Sequence, residues 1–134
     1  MNGTIIVAII TVVGSIVAAA ITSYLTKAKD REAEWRAVKL THYKRFMTAL
    51  SAIVGSKPTD AERIAFADAA NDISLVGSPA VLVALRRYLD EQKVVNRHDE
   101  LLTVLMFAIR DDLGRKPNRP DEPFEFRMWS GKPK

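Results

Sequence analysis

Few side chains in this chain can move a proton, hold a metal or attack a carbon. It has two histidines, His42 and His98, and no cysteine. A thiol nucleophile, a cysteine metal site and a disulfide framework are therefore excluded. A general base needs a partner within hydrogen-bond reach. His42 has no carboxylate within one helical turn; Val38 and Lys39 stand there instead. It reads as a helix-surface or packing residue. His98 precedes Asp99 and Glu100, but adjacent helical side chains point about 100° apart, so the three do not converge on one ion. Capping and solvation at a helix start account for His98 better. Asp90-Glu91, Asp99-Glu100 and Asp111-Asp112 fail as two-carboxylate sites for the same reason. Asp68 and Asp72 are four apart and share a face; that spacing could hold a cation, although like charges on a solvated helix are the commoner case. No phosphate-cradling glycine loop, nucleophile elbow or metalloprotease motif is present. The reading is of a protein that is not an enzyme and uses no cofactor or metal.

The elements that carry these residues are of two kinds. The chain has 134 residues, room for one domain. All 20 Lys and Arg and all 16 Asp and Glu lie from Lys27 onward, so an uncharged apolar segment is joined to a highly charged one. From Thr4 to Leu25 there is no charge, Pro, Asn or Gln. As a helix this stretch would be about 33 Å long, against a hydrocarbon core of about 30 Å. Ala18-Ala19-Ala20 offers a signal-cleavage pattern, but no basic residue precedes the apolar run, and the run is longer than a signal core needs. Residues 1-26 are therefore read as a retained transmembrane anchor.

Lys27, Lys29, Arg31 and Arg36 follow the span directly. The positive-inside rule then puts residues 27–134 in the cytoplasm and the N-terminus outside the cell membrane, in a single pass. Tyr24 falls at the cytoplasmic edge, where an amphipathic ring is comfortable. Thr11, Ser15, Ala19 and Ser23 recur every fourth residue, with Gly14 and Ala18 beside them. Small residues let backbones approach closely in lipid, so this stripe is the expected oligomer contact. The competing reading is ordinary membrane-helix composition, with hydroxyls bonded back to their own helix.

No Pro or Gly occurs between Gly14 and Gly55, so the span can continue as one helix of about 50 residues. Beyond the membrane, Trp35, Val38, Tyr43, Phe46, Met47, Leu50, Ile53 and Val54 form its apolar face. Glu32 and Arg36 have the spacing of a helical ion pair. Thr59-Asp60-Ala61-Glu62 is a capping box that opens a second helix carrying Phe66, Ala70 and Ile73. Ser78 and Pro79 suit the N-cap and first position of a third, with Val81, Leu82, Leu85, Tyr88 and Leu89. After a polar stretch around Lys93–Asn96, Leu101, Leu102, Leu105, Met106, Ile109 and Leu113 mark a fourth, with Gly114 placed to end it. The expected fold class is all-α: an N-terminal transmembrane helix continuing into a cytoplasmic antiparallel helical bundle at 27-114. Residues 115-134 carry four prolines and are read as a largely extended tail. Phe124, Phe126 and Met128 alternate there with Glu125 and Arg127 and lead to Trp129; they suit docking on the bundle or on a partner.

The segments Leu25–Arg36 and Lys39–Phe46 resemble those of small bacterial single-span membrane proteins of unassigned function. Gly77-Ser78-Pro79, His98–Leu102 and Ile109–Gly114 look like the same group. The resemblance implies a bacterial membrane protein and brings no reaction, ligand or site residue with it.

Charge is unevenly spread. Residues 27–45 carry a net +4, residues 46–114 a net −3, and residues 115–134 a net +3. A net negative central segment makes a poor phosphate surface, so nucleic acid is not an expected partner. Lys27, Lys29, Arg31 and Arg36 suit anionic lipid headgroups, each worth about 1 kcal/mol near the surface. The function expected is a membrane-anchored non-enzymatic module that self-associates as a homo-oligomer or docks a cytoplasmic protein through the bundle or the tail. The alternative is a small oligomeric pore or effector with the Thr/Ser stripe facing a lumen. Three hydroxyl residues among Ile, Val and Ala line such a lumen poorly.

Overall fold

The computed structural model describes residues 2–55, 57–91, 97–114, 120 and 122–129. The stretch Lys93–Asn96, Ser56 and most of the proline-bearing part of the tail lie outside the described residues. The described residues form four helices: α1 (Gly3–Ile53), α2 (Asp60–Val76), α3 (Pro79–Glu91) and α4 (His98–Asp112). No strand occurs among the described residues. The Phe124–Met128 alternation is therefore not part of a sheet.

The chain divides into two units, Met1–Ala37 and Val38–Lys134, with the division inside α1. In the first unit, α1 is long and apolar enough to cross a membrane, and none of its most apolar window is buried within the chain. Ile6, Ile10, Val13, Ile16 and Ile21 are each more than half exposed. Glu32 and Arg36 form the ion pair their spacing predicts.

The second unit holds the core. Its buried members come from all four helices: Tyr43, Phe46 and Leu50 of α1, Ile73 of α2, Val81, Leu85 and Tyr88 of α3, and Leu101, Leu102 and Leu105 of α4. These follow three- and four-residue steps because only such spacing keeps side chains on one helical face. Trp35 and Val38 have the same spacing on α1 yet remain 48% and 42% exposed. Periodicity identifies an apolar face; it does not supply the helix that covers it, and burial on α1 begins at Tyr43.

Local chemistry sets the helix ends. Thr59 accepts from the Glu62 N–H at 3.2 Å, and the Glu62 carboxylate accepts from the Thr59 N–H at 2.9 Å, closing the capping box. Ser78 Oγ accepts from the Val81 N–H at 3.4 Å, and Pro79 opens α3. Between α2 and α3 the backbone comes close: a Cβ on Gly77 would stand 2.9 Å from the Ile73 carbonyl oxygen and 3.2 Å from Val81 Cγ1. After α4, Gly114 takes φ 76°, a left-handed conformation that a side chain would strain.

The tail does reach the helices. Phe126 and Met128 pack against the core cluster. The Phe126 N–H donates to Thr103 Oγ1 at 2.7 Å, and its ring meets Phe107 edge-on at 6.2 Å. Trp129, by contrast, is 89% exposed.

Candidate functional site

Along the span, the stripe residues Thr11, Gly14, Ser15, Ala18, Ala19 and Ser23 are all exposed. Thr11 Oγ1 donates to the Val7 carbonyl and Ser15 Oγ to the Val12 carbonyl, both at 2.8 Å. Each hydroxyl hydrogen is thus used within its own helix, leaving oxygen lone pairs outward. A Cβ at Gly14 would meet nothing within 4 Å, so its smallness serves no packing inside the chain. Lys27, Lys29, Arg31 and Arg36 are exposed as well. Arg36 is tied to Glu32.

In the second unit three polar clusters form, two of them built from residues distant in sequence. The most buried centres on Asp112, at the end of α4. Its carboxylate accepts from Lys39 Nζ at 2.7 Å, from the Tyr43 hydroxyl, and from the Ser78 N–H at 3.3 Å. The Asp112 side chain is 6% exposed and that of Lys39 12%. Burial pushes the Asp112 pKa up, but the hydrogen bonds from Lys39, Tyr43 and Ser78, with the Lys39 charge, outweigh it and hold the carboxyl below its ordinary value. Burial, and then the adjacent carboxylate, push the Tyr43 phenol well above its ordinary value. The adjacent residues Asp111 and Asp112 separate as their angular spacing requires: Asp111 is exposed and Asp112 turns inward.

A second cluster corrects the reading of His98. It is not a cap, since Arg97 holds the N-cap position and makes no side-chain cap bond. Its Nε2 lies 2.7 Å from the Tyr88 hydroxyl, and its Nδ1 3.2 Å from Asp99 Oδ1. With Nδ1 protonated toward Asp99, Nε2 accepts from Tyr88, which gives the buried phenol its acceptor. Burial, with the Asp99 charge, raises the Tyr88 pKa. A phenol–imidazole–carboxylate chain can relay a proton, but here the phenol is wholly buried.

The third cluster takes Asp72, one of the Asp68/Asp72 pair. Arg45 pairs with it, and His42 Nδ1 lies 3.6 Å from its Oδ2. His42 therefore has a carboxylate nearby, supplied by another helix and invisible to a search along its own. Asp68 remains exposed. Among the described residues no group of three or more His, Cys, Asp or Glu could hold a metal ion.

Comparison with protein-family models, with curated proteins and with solved structures finds no match to this chain.

Proposed function

We propose that the chain is a membrane-anchored, non-enzymatic helical module, of the small bacterial single-span kind, that self-associates or docks a cytoplasmic partner. One observation carries the anchor: the apolar half of α1 has no burial within the chain. An uninterrupted apolar surface of that length needs lipid or another protein around it. Lys27, Lys29 and Arg31 follow it as exposed cations, which supports a cytoplasmic second unit and contact with anionic headgroups. The helices of that unit are proposed to form an antiparallel bundle. Support comes from the contacts at both ends of α3 and α4, Ser78 with Asp112 and Tyr88 with His98.

Self-association is proposed to run through Thr11, Gly14, Ser15, Ala18, Ala19 and Ser23, whose small side chains are all exposed. The three polar clusters are assigned to holding the helices together. The anchor and its orientation are tested by labelling single cysteines, Asn2→Cys and Ser130→Cys, with an impermeant thiol reagent in intact cells. Labelling at position 2 and not at 130 is expected. The reverse pattern overturns the orientation, and labelling at both overturns the anchor.

A further inference from the structure

Among the uncovered surfaces of the second unit, two match in polarity and in position along α1. The first is a groove of about 450 Å³ between α1 and α4. Leu40, Met47, Met106 and Leu113 make it apolar, and Lys44 and Arg110 edge it. Among the described residues neither cation is in an ion pair. The second surface is the outward stripe of α2, with Ile64, Asp68, Asn71 and Leu75 at helical spacing. Ile64 is 61% and Leu75 83% exposed. Asp68 is exposed and has no cationic partner among the described residues, since Arg45 pairs with Asp72 instead.

Position along α1 decides the match. The Phe66 ring packs on Phe46 with centroids 5.5 Å apart, and Asp72 sits against Arg45 and His42. Moving from Phe66 to Asp72 along α2 therefore moves back along α1, and Asp68 stands level with residues 44–46. Lys44 is at that level on the groove side, and Arg110 faces it from α4 across the same groove. Two copies with their α1 helices side by side and parallel bring Asp68 of one to the cations of the other without a shift along the axis.

We infer that a second copy of this chain is the occupant: the α2 stripe of one copy lies in the α1–α4 groove of the next. Asp68 pairs with Lys44 and Arg110, while Ile64 and Leu75 cover the methionine-lined floor. Met side chains adapt readily to such a fit. Each copy offers both surfaces, so the contact is heterologous and repeats from copy to copy until a ring closes or a row ends. The inference rests on the self-association proposed above and places a contact in the second unit, separate from the span.

The chain has no cysteine, so introduced ones report alone. Leu40→Cys marks the groove and Leu75→Cys the stripe, leaving the three charges in place. Chains carrying one or the other are co-expressed, and their membranes are treated with a short bismaleimide. Crosslinked dimer is expected from the mixture and not from either variant alone. Adding Lys44→Glu to the Leu40→Cys chain should lower the yield about five-fold, the range of one exposed ion pair. Adding Asp68→Lys to the Leu75→Cys chain should restore it. Equal crosslinking from single variants means a symmetric contact and overturns the inference, as does a yield that ignores the charge changes. Ser15→Cys chains, oxidised in the same membranes, separate the two levels. If they crosslink while the mixture does not, the groove has another occupant and only this inference falls. If neither crosslinks, self-association itself is refuted.

Discussion

Replacing Asp112 by Ala removes one acceptor from three donors at once. Lys39 is left as a cation 12% exposed, and Tyr43, 2% exposed, keeps a hydroxyl with no carboxylate to receive it. Breaking a buried pair by removing one partner costs about 3–5 kcal/mol, most of it the desolvation of what remains. For a domain of this size about 4–8 °C of melting temperature goes with each kcal/mol, so a fall of at least about 12 °C is expected. Asp112→Asn keeps an oxygen for Tyr43 and loses the charge, so a smaller loss of about 1.5–3 kcal/mol is expected. Asp111→Ala, exposed beside it, is the control and should move stability by less than about 0.5 kcal/mol. The acid limb gives a second reading. A carboxyl held below its ordinary value when folded contributes stability above its unfolded pKa, near 3.9, and loses it as pH falls through the folded value. Asp112→Asn should therefore flatten the stability profile below about pH 4. Thermal and urea unfolding of the chain in mild detergent, followed by circular dichroism from pH 2 to 7, measures both. If Asp112→Ala melts with Asp111→Ala, the cluster is not what joins α1 to α4, and the reasoning fails.

Thr59→Ala removes the side-chain acceptor of the α2 capping box, and a loss of about 1 kcal/mol is expected in the same unfolding assay. A chain of residues 27–134 should be soluble and helical with a cooperative melt; a non-cooperative or aggregated product would show that the core needs membrane or neighbouring copies. In membranes, Ser15→Leu and Ala19→Leu should reduce the dimer trapped by a lysine-reactive crosslinker, while Val12→Leu, off the stripe, should leave it unchanged. Both stripe variants raise hydrophobicity, so lost insertion cannot produce the same result.

What was legible in the sequence is what neighbours along the chain decide. Thr59 and Glu62 find each other because they stand three positions apart at a helix start, and Gly55, Pro58, Gly77 and Pro79 punctuate the helices. The clusters were hidden because their members are far apart. Lys39 reaches Asp112 across 73 residues and Tyr43 across 69, and nothing in Asp111-Asp112 says which of the two turns inward. His98 does open α4, but its contact with the Tyr88 hydroxyl lies between two helices and cannot be read from its neighbours along the chain. Trp35 and Val38 passed the periodicity test for a core and remain half exposed, because periodicity cannot report where the covering helices stop. The span stripe was readable as composition, but whether another helix meets it is a property of two chains and not of one.

The separation of Lys39 and Tyr43 from Asp112 also sets an order of events at the ribosome. Synthesis proceeds at about 5–20 residues per second, so Asp112 is made about 4–15 s after Lys39. During that interval Tyr43, Phe46 and Leu50 have left the peptidyl-transferase centre, while the α4 side chains that will cover them are still being added. The newborn chain therefore carries an apolar stripe with no permanent cover just behind its apolar leading segment. Local helix forms in microseconds, so the helices wait for one another and not for their own hydrogen bonds. Completion of the core is timed by translation of its last helix, and any premature stop before Asp112 leaves Tyr43 without its acceptor.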